Sequence, residues 1–71
     1  MADETVIEIG EFDLPFGRRA ILRGVTHDSG LRMVRLILRE GRRITQVDMD
    51  EAAARDLGAA LFEAGNTDKQ A

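Results

Sequence analysis

The 71-residue sequence contains no cysteine, no tryptophan and no tyrosine, and it has one proline. Without cysteine the chain can form neither a disulfide nor a zinc–thiolate site, and it has no thiolate nucleophile. A secreted domain of this size usually carries disulfides, so we expect a cytoplasmic protein. No segment approaches the roughly 20 apolar residues of a membrane-spanning helix or has the pattern of a signal peptide, so we expect no membrane partner.

Residues that could carry catalysis are scarce. His27 and Ser29 are the only histidine and serine in the chain, and they stand beside Asp28. Three adjacent residues cannot converge as nucleophile, base and orienting acid, whereas Asp28 and Ser29 are typical turn residues. We therefore expect no catalytic residue, no small-molecule substrate and no enzymatic activity.

Two further clusters have structural interpretations. Asp48, Asp50 and Glu51 lack the central glycine and the additional acid of an EF-hand loop, and helix capping accounts for them. The segment 41–43, Gly-Arg-Arg, could hold a phosphate, but no Walker or dinucleotide glycine pattern accompanies it, and a turn with solvated arginines is favoured. We expect neither a metal site nor a cofactor.

Charge is strongly segregated along the chain, although the net charge is only −3. Five acidic residues and no basic residue precede Arg18. Eight arginines fall between Arg18 and Arg43, against two acids, and six acids follow. Arginine's planar guanidinium group suits carboxylates, phosphates and protein interfaces, so the central segment is the best candidate for contact with a partner.

Four runs of alternating or β-branched apolar residues predict strands at residues 5–12, 19–27, 31–39 and 42–49. Turn residues separate the runs, including Pro15, Gly17 and Gly41. The runs follow one another with short connections, which is typical of an antiparallel meander.

A helix follows the fourth run. Asp48 or Asp50 can act as its N-cap, small and large apolar residues recur at helical spacing, and Gly65 supplies a C-terminal stop. Phe62 lies off the apolar stripe, one turn beyond Gly58, and indicates either a notch for a partner or a more widely buried helix. The sequence predicts an α+β fold: a four-stranded antiparallel meander sheet followed by one C-terminal amphipathic helix packed on one face (ββββα). We expect residues 1–65 to form this single domain and residues 66–71 to form a frayed polar tail.

The turn lengths assign residues to the two faces of the sheet. A three-residue loop at 28–30 places Ile21 opposite Ile37, and a two-residue turn at 40–41 places Ile37 opposite Ile44. One face is then apolar and receives the helix. The other, which we call the Arg/Ile face, carries Arg19, Arg23, Arg35, Arg39 and Arg42 together with Ile21, Val25, Met33, Ile37 and Ile44.

The Arg/Ile face allows three interpretations. As a protein interface, its apolar residues form the contact core and its arginines bond acids across it, for which Glu8, Glu11 and Asp13 of a second copy are suitable. As a nucleic-acid platform it lacks aromatic residues, since the three phenylalanines lie outside these strands. As plain solvated surface it exposes too many large apolar residues. We expect a homodimer or docking on a larger protein, with single-stranded nucleic-acid binding as the alternative.

The end of the chain also resembles known families. Within residues 42–64 a short turn, the strand Ile44-Thr45-Gln46-Val47-Asp48-Met49 and an amphipathic helix follow one another. This order, after three earlier strands, resembles a PUR repeat or a PC4-like domain. The resemblance implies a dimer-like assembly of curved sheets that binds single-stranded DNA or RNA. The aromatic residues with which such proteins stack bases have no counterpart in these strands.

Overall fold

The computed structural model describes residues 4–66, which form one antiparallel sheet and one helix. The elements are β1 Glu4–Leu14, a 3-10 turn Pro15–Gly17, β2 Arg18–His27, β3 Arg32–Glu40, β4 Arg43–Asp50 and α1 Glu51–Gly65. The strands lie in chain order, β1-β2-β3-β4. The predicted ββββα fold is confirmed. Of the predicted polar tail, residues 67–71 lie outside the described residues.

The β2–β3 hairpin has the predicted register. Ile21 pairs with Ile37, and Arg23 pairs with Arg35. The loop at 28–30 closes through a hydrogen bond from the Gly30 amide to the His27 carbonyl at 2.8 Å. Gly30 has a φ of +94°, which favours glycine, so the loop length fixes which side chains share a face.

The β3–β4 hairpin corrects the predicted register by two residues. Its turn is Gly41–Arg42, not 40–41, and Ile37 therefore pairs with Gln46 rather than Ile44. Gly41 has a φ of +62° and takes the first central position of the turn, where a type II′ turn requires glycine. A shift of two residues preserves the alternation of faces, so the predicted partition of β4 stands.

A β-bulge lies in β1, between Glu8 and Gly10. Glu8 pairs with Arg23, and the next pair along the strand is Gly10 with Leu22, so Ile9 is the extra residue. Strict alternation would place Glu8 and Glu11 on opposite faces, because their positions differ by three. The bulge restores both acids to the same face as Arg19 and Arg23 of β2.

The helix α1 begins where the sequence indicates and ends differently. The Asp50 carboxylate accepts a hydrogen bond from the Ala53 amide at 2.7 Å, so Asp50 is the N-cap. Gly65 does not take the left-handed conformation of a glycine stop; the helix instead ends at Asn66, whose side-chain amide donates to the Phe62 carbonyl at 2.8 Å. The helix contacts β3 and β4, yet none of its residues is buried.

Candidate functional site

The arginines of the Arg/Ile face have acidic partners from their own chain. Because β1 lies beside β2, Arg19 donates to Glu11 Oε1 at 2.9 Å and to Asp13 Oδ1 at 2.8 Å. Arg23 Nε lies 2.6 Å from Glu8 Oε2, although it is not aligned as a hydrogen bond. These three acids, which we expected a second copy to provide, come from the same chain.

A second ion-pair cluster lies toward the opposite end of the same face. Arg35 Nε and Nη2 donate to the two Asp48 carboxylate oxygens at 2.9 and 3.1 Å. The hydrogen bonds with Arg35 lower the pKa of Asp48, and the same bonds raise the pKa of Arg35. Glu4 Oε2 lies 3.7 Å from Arg35 Nη2 and 3.8 Å from His27 Nδ1. This bidentate pair holds Arg35 against the sheet, and its side chain is only 16% exposed.

Below these ion pairs lies the small buried core of the molecule. Among residues 4–66 the buried hydrophobic side chains are Ile21, Val25 and Ile37, with exposed fractions of 7%, 1% and 8%. Ile21 and Ile37 each lie between two arginines on their own strands, and the long arginine stems cover apolar neighbours. The expectation that these three residues are exposed is therefore wrong.

The other predicted residues of the Arg/Ile face have mixed positions. Met33 is half-buried, and Ile44 is exposed on the edge strand β4. Arg39 lies on the face and is exposed, whereas Arg42 lies in the β3–β4 turn and not on the sheet face. Neither Arg39 nor Arg42, nor the neighbouring Arg43, has a carboxylate partner among the described residues.

The opposite face of the sheet is apolar and incompletely covered. An open groove of about 390 Å³ lies between it and α1. Large side chains from both elements line it, among them Phe12, Leu22, Leu36, Met49, Leu57 and Leu61. The helix residues stay accessible, with Leu57 45% and Leu61 64% exposed. The apolar stripe of the helix and the apolar face of the sheet thus face a shared space that the chain itself does not fill.

Gly10 shapes one edge of the groove. A Cβ atom at this position would come 3.0 Å from Cζ of Phe12, so the Phe12 ring lies across the glycine. This close approach is possible because glycine has no side chain. The bulge and its glycine therefore position Phe12, which pairs with Ala20 on the apolar face.

The clusters considered for catalysis or metal binding are dispersed. Asp48 binds Arg35, Asp50 caps α1, and Glu51 lies 3.5 Å from Arg32. No group of His, Asp or Glu among residues 4–66 has a metal-binding arrangement. The same part of the chain contains no helix that is long and apolar enough to cross a membrane.

The comparisons with known proteins give one finding. The model of one protein family, described as a family of unknown function, matches residues 3–67. No curated protein and no solved structure matches the chain. The family match thus covers the sheet and the helix, and it assigns no function to them.

Proposed function

The chain belongs to this family of unknown function (DUF6967), and we propose that it is a small non-enzymatic interaction module that pairs with a second copy of itself. The observation that carries the proposal is the uncovered groove between the apolar face of the sheet and α1. The proposed interface is thus on the face opposite to the one that the sequence indicates, because the arginines of the Arg/Ile face are largely paired within the chain. We also propose a cytoplasmic location, since small secreted domains usually depend on disulfides and this chain has no cysteine.

The exposed area supports a second copy as the occupant. A compact monomer of 7.9 kDa exposes about 4,400 Å². This chain exposes 5799 Å², an excess of about 1,400 Å² over that general relation. An interface that covered the apolar face of both copies would remove part of this excess, as the apolar interfaces of obligate homodimers do.

The core supports the same conclusion. A sheet needs a second layer over its apolar face, and α1 covers that face only in part. Twelve large hydrophobic side chains are exposed among the described residues, against three that are buried. In a twofold dimer the same patch meets itself, so Leu57 and Leu61 of each helix would pack into the groove of the other copy.

Charges beside the groove are compatible with this contact. On the apolar side of the sheet Arg18 Nε lies 2.8 Å from Glu40, and Arg32 Nε lies 3.5 Å from Glu51. These pairs lie toward opposite ends of the sheet and are neutral as pairs. A second copy can therefore approach at these points without placing like charges against each other.

Light scattering on matched variants tests the proposal. Leu61 and Ile44 have nearly equal exposed fractions, 64% and 61%, but lie on opposite sides of the molecule. We expect the wild type to have the mass of two chains, Leu61→Glu to have the mass of one, and Ile44→Glu to remain a dimer. A monomeric wild type at high concentration would contradict the proposal. If Ile44→Glu gave a monomer and Leu61→Glu did not, the interface would lie on the Arg/Ile face instead.

A further inference from the structure

The topology brings two turns together at one end of the sheet. In an antiparallel meander, successive connections alternate between the two ends. The turn Pro15–Gly17 and the β3–β4 turn therefore share one end, while the loop at 28–30 and the start of α1 share the other. Phe16 and Arg42, distant in sequence, lie at the same end. We call Phe16, Arg39, Arg42 and Arg43 the arginine end.

Phe16 is exposed and conformationally strained. Its side chain is 89% exposed, the most of any large hydrophobic side chain among the described residues. Its backbone has a φ of +66° and a ψ of 34°, a left-handed conformation that bulky residues rarely adopt. An apolar ring held in water by an unfavourable backbone has two costs. The ring has one cation–π contact, with Arg18, and at an exposed site such a contact is weak. The uncompensated strain and exposure point to a functional role.

One part of the ring has a defined neighbour. The Arg18 guanidinium lies 5.7 Å from the centroid of the Phe16 ring, and its Nε lies 2.8 Å from Glu40. Arg18 thus connects the exposed ring to the residue that precedes the β3–β4 turn. At 89% exposure the ring still offers a broad surface for stacking.

The arginine end is also locally basic. Arg39, Arg42 and Arg43 have no carboxylate partner among residues 4–66. The Arg18–Glu40 pair is neutral, and Glu11 and Asp13, which share Arg19, together leave one negative charge. The local charge is therefore about +2 in a chain whose net charge is −3.

We propose that the arginine end binds single-stranded nucleic acid, with a base stacked on the Phe16 ring and the backbone phosphates held by Arg39, Arg42 and Arg43. Aromatic rings accept every base by stacking, and guanidinium groups bind phosphates in a bidentate way. A duplex hides its base faces, so the pairing of ring and arginines favours a single strand. A bilayer fits less well, since one exposed ring supplies little apolar area for insertion. This site lies at the end of the sheet and does not require the dimer.

Fluorescence anisotropy with a labelled 12-nucleotide single-stranded DNA of mixed sequence tests the site. Three phosphate contacts predict a slope of about −2 in a plot of log affinity against log salt concentration. Arg42→Ala loses one contact and should lower affinity about eightfold at about 50 mM salt. Arg55→Ala is the matched control. Arg55 also has no carboxylate partner among residues 4–66, but it lies near the start of α1, toward the end of the sheet opposite to the arginine end. We expect no change in its affinity.

A second variant isolates the ring. Phe16→Leu keeps an apolar side chain at the same strained position and removes the aromatic surface, so affinity should fall about 5- to 100-fold. The proposal is overturned if Phe16→Leu binds like the wild type, if Arg42→Ala and Arg55→Ala lose affinity equally, or if a duplex of the same sequence binds as tightly. Equal binding to anionic phospholipid vesicles would also overturn it. Light scattering of Arg42→Ala separates this result from the dimer, whose mass should not change.

Discussion

Shortening Ile37 should cost far more stability than shortening Ile44, although both isoleucines lie on the Arg/Ile face. Ile37 is 8% exposed and Ile44 is 61% exposed. The two residues are on adjacent strands and face the same side of the sheet, and their largest difference is the exposed fraction. The comparison therefore isolates burial, and it tests whether the core of this small domain lies beneath its ion pairs.

The magnitude follows from the exposed fractions. Ile37→Ala removes three nearly buried carbon atoms and leaves a cavity, which costs about 2–5 kcal/mol. Ile44→Ala removes the same atoms from a mostly solvated position and should cost about 1 kcal/mol. We expect the free energies of unfolding of the two variants to differ by at least about 1 kcal/mol, a large part of the stability of a domain of this size.

Urea unfolding followed by far-ultraviolet circular dichroism measures the difference, since the chain has no tryptophan or tyrosine for fluorescence. All variants are compared at one protein concentration, because the unfolding midpoint of a dimer depends on concentration. If Ile37→Ala is unfolded without urea, Ile37→Val, with an expected loss of about 0.5–1.5 kcal/mol, replaces it and is compared with Ile44→Val. Equal losses at the two positions would refute the reasoning.

Two further predictions concern single contacts. Asp50→Ala removes the carboxylate that accepts from the Ala53 amide and should lower the free energy of unfolding by about 1 kcal/mol. The control Asp56→Ala, within α1, should cost less. Urea midpoints and the helical circular dichroism signal measure both losses, and equal losses would exclude a capping role for Asp50. The Arg35 pair lowers the pKa of Asp48 below its ordinary value of 3.8, so its stabilisation is present above that pH and is lost as pH falls through the lowered pKa. The difference in urea midpoint between the wild type and Asp48→Asn should therefore shrink between about pH 6 and about pH 3, and a constant difference would contradict the assignment.

The hairpins show how far local sequence determines this fold. The loop at 28–30 has a length and a glycine that specify one register, and the prediction for β2 and β3 is confirmed. At the β3–β4 turn Gly41 could be the second central residue of a turn at 40–41 or the first central residue of a turn at 41–42. The structure has the second arrangement, in which the first central position takes the positive φ. The difference moves the register by two residues and changes the neighbours of Ile37 without changing its face.

The bulge in β1 is the feature that sequence reasoning missed. The acids Glu4 and Glu8 are four residues apart, whereas Glu8 and Glu11 are three apart, and only an inserted residue brings all of them to one face. That odd spacing, with Gly10 inside it, was the available signal. Without the position of β1, the arginines of β2 have no visible partners, and their charge suggests an external ligand.

The pairing of β1 with β2 changes which face of the sheet is the better candidate for an interface. A row of arginines normally indicates solvent or an anionic partner. Here the edge strand β1 supplies Glu11 and Asp13 to Arg19 and Glu8 to Arg23, so the row becomes an ion-paired layer over aliphatic side chains. The apolar face, which the sequence assigns to the helix, is then the surface in need of a partner, because α1 covers it only in part. Among the described residues of the sheet, the arginines without a carboxylate partner lie in the β3–β4 turn and its flanks, at the same end as the exposed Phe16 ring. The proposed protein contact and the proposed nucleic-acid contact thus have separate locations on one small sheet, so a substitution can test each without the other.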